Sequence, residues 1–232
     1  MASNHHNDEV FKEKRRIKGE IKFNVTLNEE QKRAKEEILN HTITVLKGKA
    51  GSSKTLLACN VALTMLFKRE VERIYIARPF VYTDDDRTLA ALPGGVSEKL
   101  QGLTLPVIDN CHALIGKEKT EKLLAEGLIT ILPVAFMRGI TVNNAVLILD
   151  EFQNATLSQT YACLSRIGKN SKVIVTGDMA QCDLRNKKET GFDFFKRLET
   201  EGLPGIKLIT LETNHRHELV DHISRIYDEY RH

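Results

Sequence analysis

Eight residues restrict the fold of this chain more than any other stretch: Gly48, Lys49, Ala50, Gly51, Ser52, Ser53, Lys54 and Thr55. They follow an apolar run, TITVL, and precede TLLACNVALTMLF, so a strand leads into a glycine-containing loop and the loop into a helix. A loop in that setting can turn successive backbone N–H groups inward as a concave nest, and the helix N-terminus adds partial positive charge at the same point. Both features bind phosphate. In the pattern G-x-x-x-x-G-K-[ST] the lysine reaches the β- and γ-phosphates of a nucleotide and the hydroxyl residue ligates Mg²⁺; here these are Lys54 and Thr55. Ser53 stands where the pattern has glycine. A Cβ there opposes a left-handed backbone and close approach to phosphate, at a cost of about 1 kcal/mol. A glycine- and serine-rich turn before a helix is the competing reading.

The rest of the chain supplies the context such a loop needs. Short apolar runs at 42–46, 73–77, 128–132, 145–149, 171–176 and 206–211 alternate with helical patterns at 28–39, 55–67, 156–167, 191–200 and 217–230. That rhythm predicts an α/β fold. The runs are apolar at consecutive positions, so both sheet faces are expected to be covered by helices, as in a mostly parallel sheet. The helix at 55–67 is apolar nearly all round and is expected to be buried. With 232 residues and 41% hydrophobic side chains, the chain reads as one large domain. No run is long enough for a membrane span and the first residues lack a secretory layout, so a cytoplasmic location is expected. Cys59, Cys111, Cys163 and Cys182 are far apart without a CxxC pair, and are expected to be reduced and mostly buried.

Two stretches stand outside the rhythm. Residues 1–25 form a basic arm expected to be flexible, with Lys12, Lys14, Arg15, Arg16, Lys18 and Lys22 set against few acids. The body is then close to neutral, and charge alone argues for no polyanionic partner. Residues from about 80 to 127 read as an insertion between two strands that packs at a sheet end. It carries Asp84, Asp85 and Asp86, a Leu92-Pro93-Gly94-Gly95 turn signal, and helix-like segments on either side of Pro106.

Two further strands end in polar residues. AVLILD delivers Asp150 and Glu151 to the C-terminal end of a buried strand, the ligand edge of an open α/β sheet. Asp150 is suited to hold Mg²⁺ through its water shell, and Glu151 to orient or deprotonate the attacking water. KVIVTGD continues into Met179-Ala180-Gln181, where Gln181 can bond both a γ-phosphate oxygen and the lytic water. No aromatic-and-basic stacking platform of the kind single strands prefer is visible in the order of residues.

Taken together, GKAGSSKT, FMRGITVNNAVLILDEFQN, SKVIVTGDMAQCDL and NHRHELVDHI resemble the PhoH family of phosphate-starvation-inducible ATPases, which is similar to the ATPase core of superfamily 1 helicases. The resemblance runs from about residue 26 to the C-terminus. It implies a single RecA-like P-loop domain over 26–232 that uses ATP and Mg²⁺. It also implies, for some members, RNA-linked activity and ring-shaped oligomers. Gln31 matches the family's adenine-reading glutamine, and Arg216 its late arginine. A cation that stabilises charge on the γ-phosphate is usually needed. The chain is too short for the second domain that supplies it in a monomeric helicase. Arg216, or Arg138 in the loop before the Asp150 strand, is therefore the candidate, with Arg216 acting across a homo-oligomer interface. The expected function is ATP hydrolysis coupled to remodelling of RNA or single-stranded nucleic acid, with Lys54, Glu151, Gln181 and Arg216 as catalytic residues. A weakly hydrolysing or non-hydrolysing ATP-dependent switch is the alternative.

Overall fold

The computed structural model describes residues 23–79, 96–184, 186, 190–214 and 218–230. Arg216, Asp84 to Asp86, the 92–95 turn signal and the basic residues of the arm lie outside the described residues. Six strands form one parallel sheet: β1 (Ile43–Gly48), β2 (Arg73–Arg78), β3 (Ile129–Pro133), β4 (Ala145–Leu149), β5 (Lys172–Gly177) and β6 (Ile206–Leu211). Their order is β3-β2-β4-β5-β1-β6, and every neighbouring pair is parallel. All six predicted strands are present, shifted by no more than a residue or two. The fold is α/β, of the RecA-like P-loop kind the resemblance implied.

Consecutive apolar residues in the strands do face opposite layers, as period-2 geometry requires. Ile74, Ile76, Val146, Ile148, Ile174 and Leu46 face one core. That core is closed by α1 (Glu29–Asn40), α2 (Lys54–Phe67), α3 (Val96–Ile115) and α4 (Lys117–Ala125). Val45, Ala77, Leu147, Leu149, Val173 and Val175 face the other, closed by α5 (Leu157–Leu164), α6 (Phe192–Thr200) and the 3₁₀ turn Val134–Met137. A seventh helix, α7 (Glu218–Tyr230), follows β6. The central helix α2 is buried continuously from Leu57 to Leu63, as its all-round apolar sequence predicts. All four cysteines are buried and free. Cys59 on α2 and Cys111 on α3 share a thiol hydrogen bond, which together with burial pushes the Cys59 thiol well up.

The stretch between β2 and β3 differs in detail from expectation. Pro106 lies inside one continuous helix, α3, rather than between two helical segments. The helix does not sit at a sheet end either. Val107, Cys111, Leu114 and Ile115 enter the core beside α2, so α3 and α4 form the crossover that returns the chain from β2 to the neighbouring parallel strand β3. Packing contacts among the described residues begin at Phe23 and Val25, which lie against the same core, while the Asn24 N–H donates to the Leu114 carbonyl at 3.0 Å.

Strand order decides how the site is assembled. β5 lies between the loop-bearing strand β1 and the Asp150 strand β4, so residues at the ends of all three can meet only at the C-terminal edge of the sheet. Among the described residues no helix is long and apolar enough to cross a membrane.

Candidate nucleotide-binding site

The loop between β1 and α2 has the backbone that the sequence departure made costly. Ser53 sits at φ 60° and ψ 28°, the left-handed region in which a Cβ is strained. Gly48 is needed for a different reason: a Cβ there would lie 2.5 Å from Ser52 Oγ and 2.6 Å from the Leu211 carbonyl oxygen. The loop thus folds over β1 tightly enough to exclude any side chain at its first position. Ser53 precedes α2 without a capping bond from its side chain, so the first turn of this 14-residue helix lacks the usual side-chain cap. Lys54 is only 9% exposed, and its ammonium curls back to donate to the carbonyls of Gly48 at 2.7 Å and Lys49 at 2.9 Å and to Ser52 Oγ at 3.3 Å. A phosphate seated over the α2 N-terminus would offer the same ammonium stronger, charged acceptors.

Asp150, 1% exposed, is the hub of the site. Its Oδ1 accepts from the Thr55 hydroxyl at 2.7 Å and from the Thr176 hydroxyl at 2.6 Å. Its Oδ2 faces Arg78 Nε at 3.1 Å. Thr176, near the end of β5, bridges the gap that the strand order opens between β1 and β4. Its hydroxyl also accepts from the Glu151 N–H at 3.3 Å. Thr55 and Asp150 therefore present hydroxyl and carboxylate oxygens side by side at the start of α2, a hard-donor pair that fits a magnesium ion with its water shell.

Glu151 also has a left-handed backbone, φ 54° and ψ 41°, which turns the chain sharply out of β4 into the 3₁₀ turn Phe152–Asn154. Gln153 then folds back beneath it, 1% exposed. Its Nε2 donates to Glu151 Oε2 at 2.7 Å and to the Gln181 carbonyl at 3.4 Å, and its Oε1 accepts from the Asp178 N–H at 3.1 Å. One buried amide thus ties the carboxylate after β4 to the turn after β5. The Gln153 carbonyl accepts from Thr190 Oγ1 at 2.8 Å, which holds the turn from below.

The structure brings together Lys54, Thr55, Asp150 and Glu151 at one edge, with the loop Gly48 to Ser53 around them. Gln181 is an exposed residue on the adjacent turn, and it is its main-chain carbonyl that Gln153 reaches. Gln31 is 4% exposed and closes a capping box on α1: its N–H donates to Asn28 Oδ1 at 2.8 Å and its Oε1 accepts from the Asn28 N–H at 3.0 Å. The neighbouring Glu30 accepts the Glu212 and Thr213 N–H groups just beyond β6, which anchors the start of α1 to the same sheet edge as the loop. Arg138 is exposed beyond β3, four strands from β1, and does not join the Asp150 cluster. Arg78, Gln153 and Thr176 were not singled out as site residues. Arg78 carried a usable signal, since it is a charge at the C-terminal end of the apolar strand RIYIAR, whereas Gln153 is placed by a turn that no periodicity announces.

A family profile described as "PhoH-like protein" matches residues 25–228. A PhoH-like protein of Bacillus subtilis (strain 168) is 38% identical over 184 residues, covering 78% of this chain and 57% of its own length. Protein PhoH of Escherichia coli (strain K12) is 37% identical over 182 residues, 77% of this chain and 51% of its own. The chain thus spans a little over half the length of these relatives. Among solved structures, the large terminase of a thermophilic bacteriophage is similar in fold, with a TM-score of 0.51 at 10% identity, covering 80% of this chain and 46% of that one.

Proposed function

This chain belongs to the PhoH-like family, and from that premise and the geometry of its sheet edge we propose that it binds ATP with Mg²⁺ and hydrolyses it. The observation that carries the reading is the junction at Asp150, where Thr55 from the loop helix and Thr176 from the intervening strand meet one buried carboxylate beside the start of α2. Triphosphate binds over the α2 N-terminus, drawing the Lys54 ammonium from the loop carbonyls to the β- and γ-phosphate oxygens. Thr55 and Asp150 hold the magnesium ion, which when bound neutralises charge on the phosphates. Glu151, held by Gln153, orients the attacking water and accepts its proton. Gln181 stands at the rim as a reporter of the γ-phosphate. Gln31, on the helix tethered beyond β6, is assigned the adenine edge of the nucleotide.

The cation that acts on the γ-phosphate is assigned to Arg216 of a neighbouring copy in a homo-oligomer, with a ring as one closed form. Coupling to RNA or single-stranded nucleic acid has its support in a surface that the linear sequence concealed. Phe136, Leu157 and Tyr161 are 57%, 51% and 67% exposed on the Val134–Met137 turn and α5, which pack together, and Arg138, which follows the turn in sequence, is also exposed. Exposed rings of this kind are what the bases of a single strand stack on. The test is ATPase turnover with and without single-stranded RNA and DNA, with oligomer mass measured in the same buffer. Turnover stimulated by a polymer supports the coupled reading, and stimulation by neither polymer favours an ATP-dependent switch. Specific activity that is undiminished on dilution to a strict monomer refutes the trans arginine.

A further inference from the structure

We propose that Arg78 is a positioning residue that sets the metal requirement of this site by holding Asp150 when no nucleotide is bound. The inference rests on the ATP reading above and concerns its regulation. β2 and β4 pair in register with Ala77 opposite Leu149, and the Asp150 N–H donates to the Ala77 carbonyl at 3.0 Å. The next side chains, Arg78 and Asp150, therefore emerge side by side. They form an ion pair at 3.1 Å, with Arg78 15% and Asp150 1% exposed. Both oxygens of the carboxylate are thereby engaged, Oδ1 by the two threonine hydroxyls and Oδ2 by the guanidinium.

This division has an electrostatic consequence. A hydrated divalent cation is attracted to a carboxylate, but the guanidinium on Oδ2 cancels that charge where it is needed. Asp150 with Arg78 presents no net charge to a metal, so the main attraction comes from the phosphates of a nucleotide. The chain consequently takes up Mg²⁺ together with nucleotide and not before it. The size of the effect follows from Coulomb's law. One unit charge about 6 Å from a divalent ion, even at the dielectric of water, changes affinity by about tenfold. A drier site raises that factor.

The experiment is a titration of Mg²⁺ against binding of a fluorescent ADP analogue, which reads affinity independently of turnover. The native chain, Arg78→Gln and Arg78→Lys are compared, with a thermal melt of each. Arg78→Gln removes the charge and is expected to lower the Mg²⁺ midpoint about tenfold or more. It is also expected to bind Mn²⁺ without nucleotide, detected by electron paramagnetic resonance, where the native chain does not. Arg78→Lys keeps the charge and is expected to stay within about threefold of the native midpoint, so it reads the proposal even if Arg78→Gln fails to fold. An unchanged or higher midpoint in Arg78→Gln, or a tenfold change in Arg78→Lys, overturns the role of Arg78 while leaving nucleotide binding intact. A native chain that binds no nucleotide at any Mg²⁺ concentration overturns the ATP reading and this inference with it.

Discussion

Replacing Gln153 with methionine separates the positioning of Glu151 from the chemistry of Glu151. Methionine nearly preserves the volume of the side chain, so the buried turn stays filled while its amide is lost. Three interactions disappear: the 2.7 Å bond from Nε2 to the Glu151 carboxylate, the acceptor for the Asp178 N–H at 3.1 Å, and a long 3.4 Å bond to the Gln181 carbonyl that adds little. A hydrogen bond to a charged group contributes about 1.5–3 kcal/mol, reduced here because Glu151 is partly exposed, and an orphaned N–H costs about 1–3 kcal/mol. The sum is about 3 kcal/mol, which for a domain of this size lowers Tm by roughly 6–12 °C. With its carboxylate free to rotate, ATP turnover is expected to fall by about ten- to a hundredfold, with little change in nucleotide affinity. The assay is a double-mutant cycle with Glu151→Gln, in which kcat and urea unfolding are both measured. If Gln153 acts through Glu151, adding Gln153→Met to Glu151→Gln costs no further kcat but still destabilises the fold. Additive losses in kcat, or a stability change under about 1 kcal/mol, would refute the reasoning.

Other substitutions probe the loop, the core and the surface. Ser53→Gly relieves the left-handed strain at φ 60° against the entropy of a freer unfolded chain. It is expected to stabilise by about 0.5–1 kcal/mol, a Tm rise of about 1–4 °C, and a lower Tm would contradict the strain. Burial pushes the Cys163 thiol up to about 12. Iodoacetamide at pH 8 is therefore expected to leave Cys163 unmodified in the native chain and to label it in urea, read by peptide mass. Phe136→Ala with Tyr161→Ala is expected to weaken single-stranded RNA binding by at least about tenfold, from about 1–3 kcal/mol per stacked base, with basal ATPase unchanged. Equal RNA affinity would remove that surface from the account.

The sheet was legible because its strands are buried on both faces. Apolar residues such as Val146, Leu147 and Ile148 stand at consecutive positions, and the structure sends them alternately to two cores. The loop was legible because glycine spacing, Lys54 and Thr55 report a backbone conformation, and the strain expected at Ser53 is present. What stayed hidden depends on strand order. Nothing in RIYIAR says that β2 will lie beside β4, so the contact of Arg78 with Asp150 could not be read from it. Gln153 depends on a 3₁₀ turn that follows a left-handed glutamate, which leaves no periodic trace. Pro106 reads as a break because proline removes a helical hydrogen bond. Core contacts of Val107, Cys111 and Leu114 nevertheless bury the same helix beyond it. The neighbourhood of the exposed rings of Phe136 and Tyr161 could not be read either, because they lie on separate segments that pack together only in the fold.

The central claim is that Glu151, beside Asp150 and the loop, drives hydrolysis of bound ATP. Its most direct test compares single-turnover ATP hydrolysis by the native chain and by Glu151→Gln, with nucleotide affinity measured on both. A general base is worth roughly 10²–10⁴ in rate. The account predicts a fall of at least about a hundredfold with affinity held within about threefold. Equal hydrolysis rates in the two proteins would contradict it and leave an ATP-dependent switch in its place.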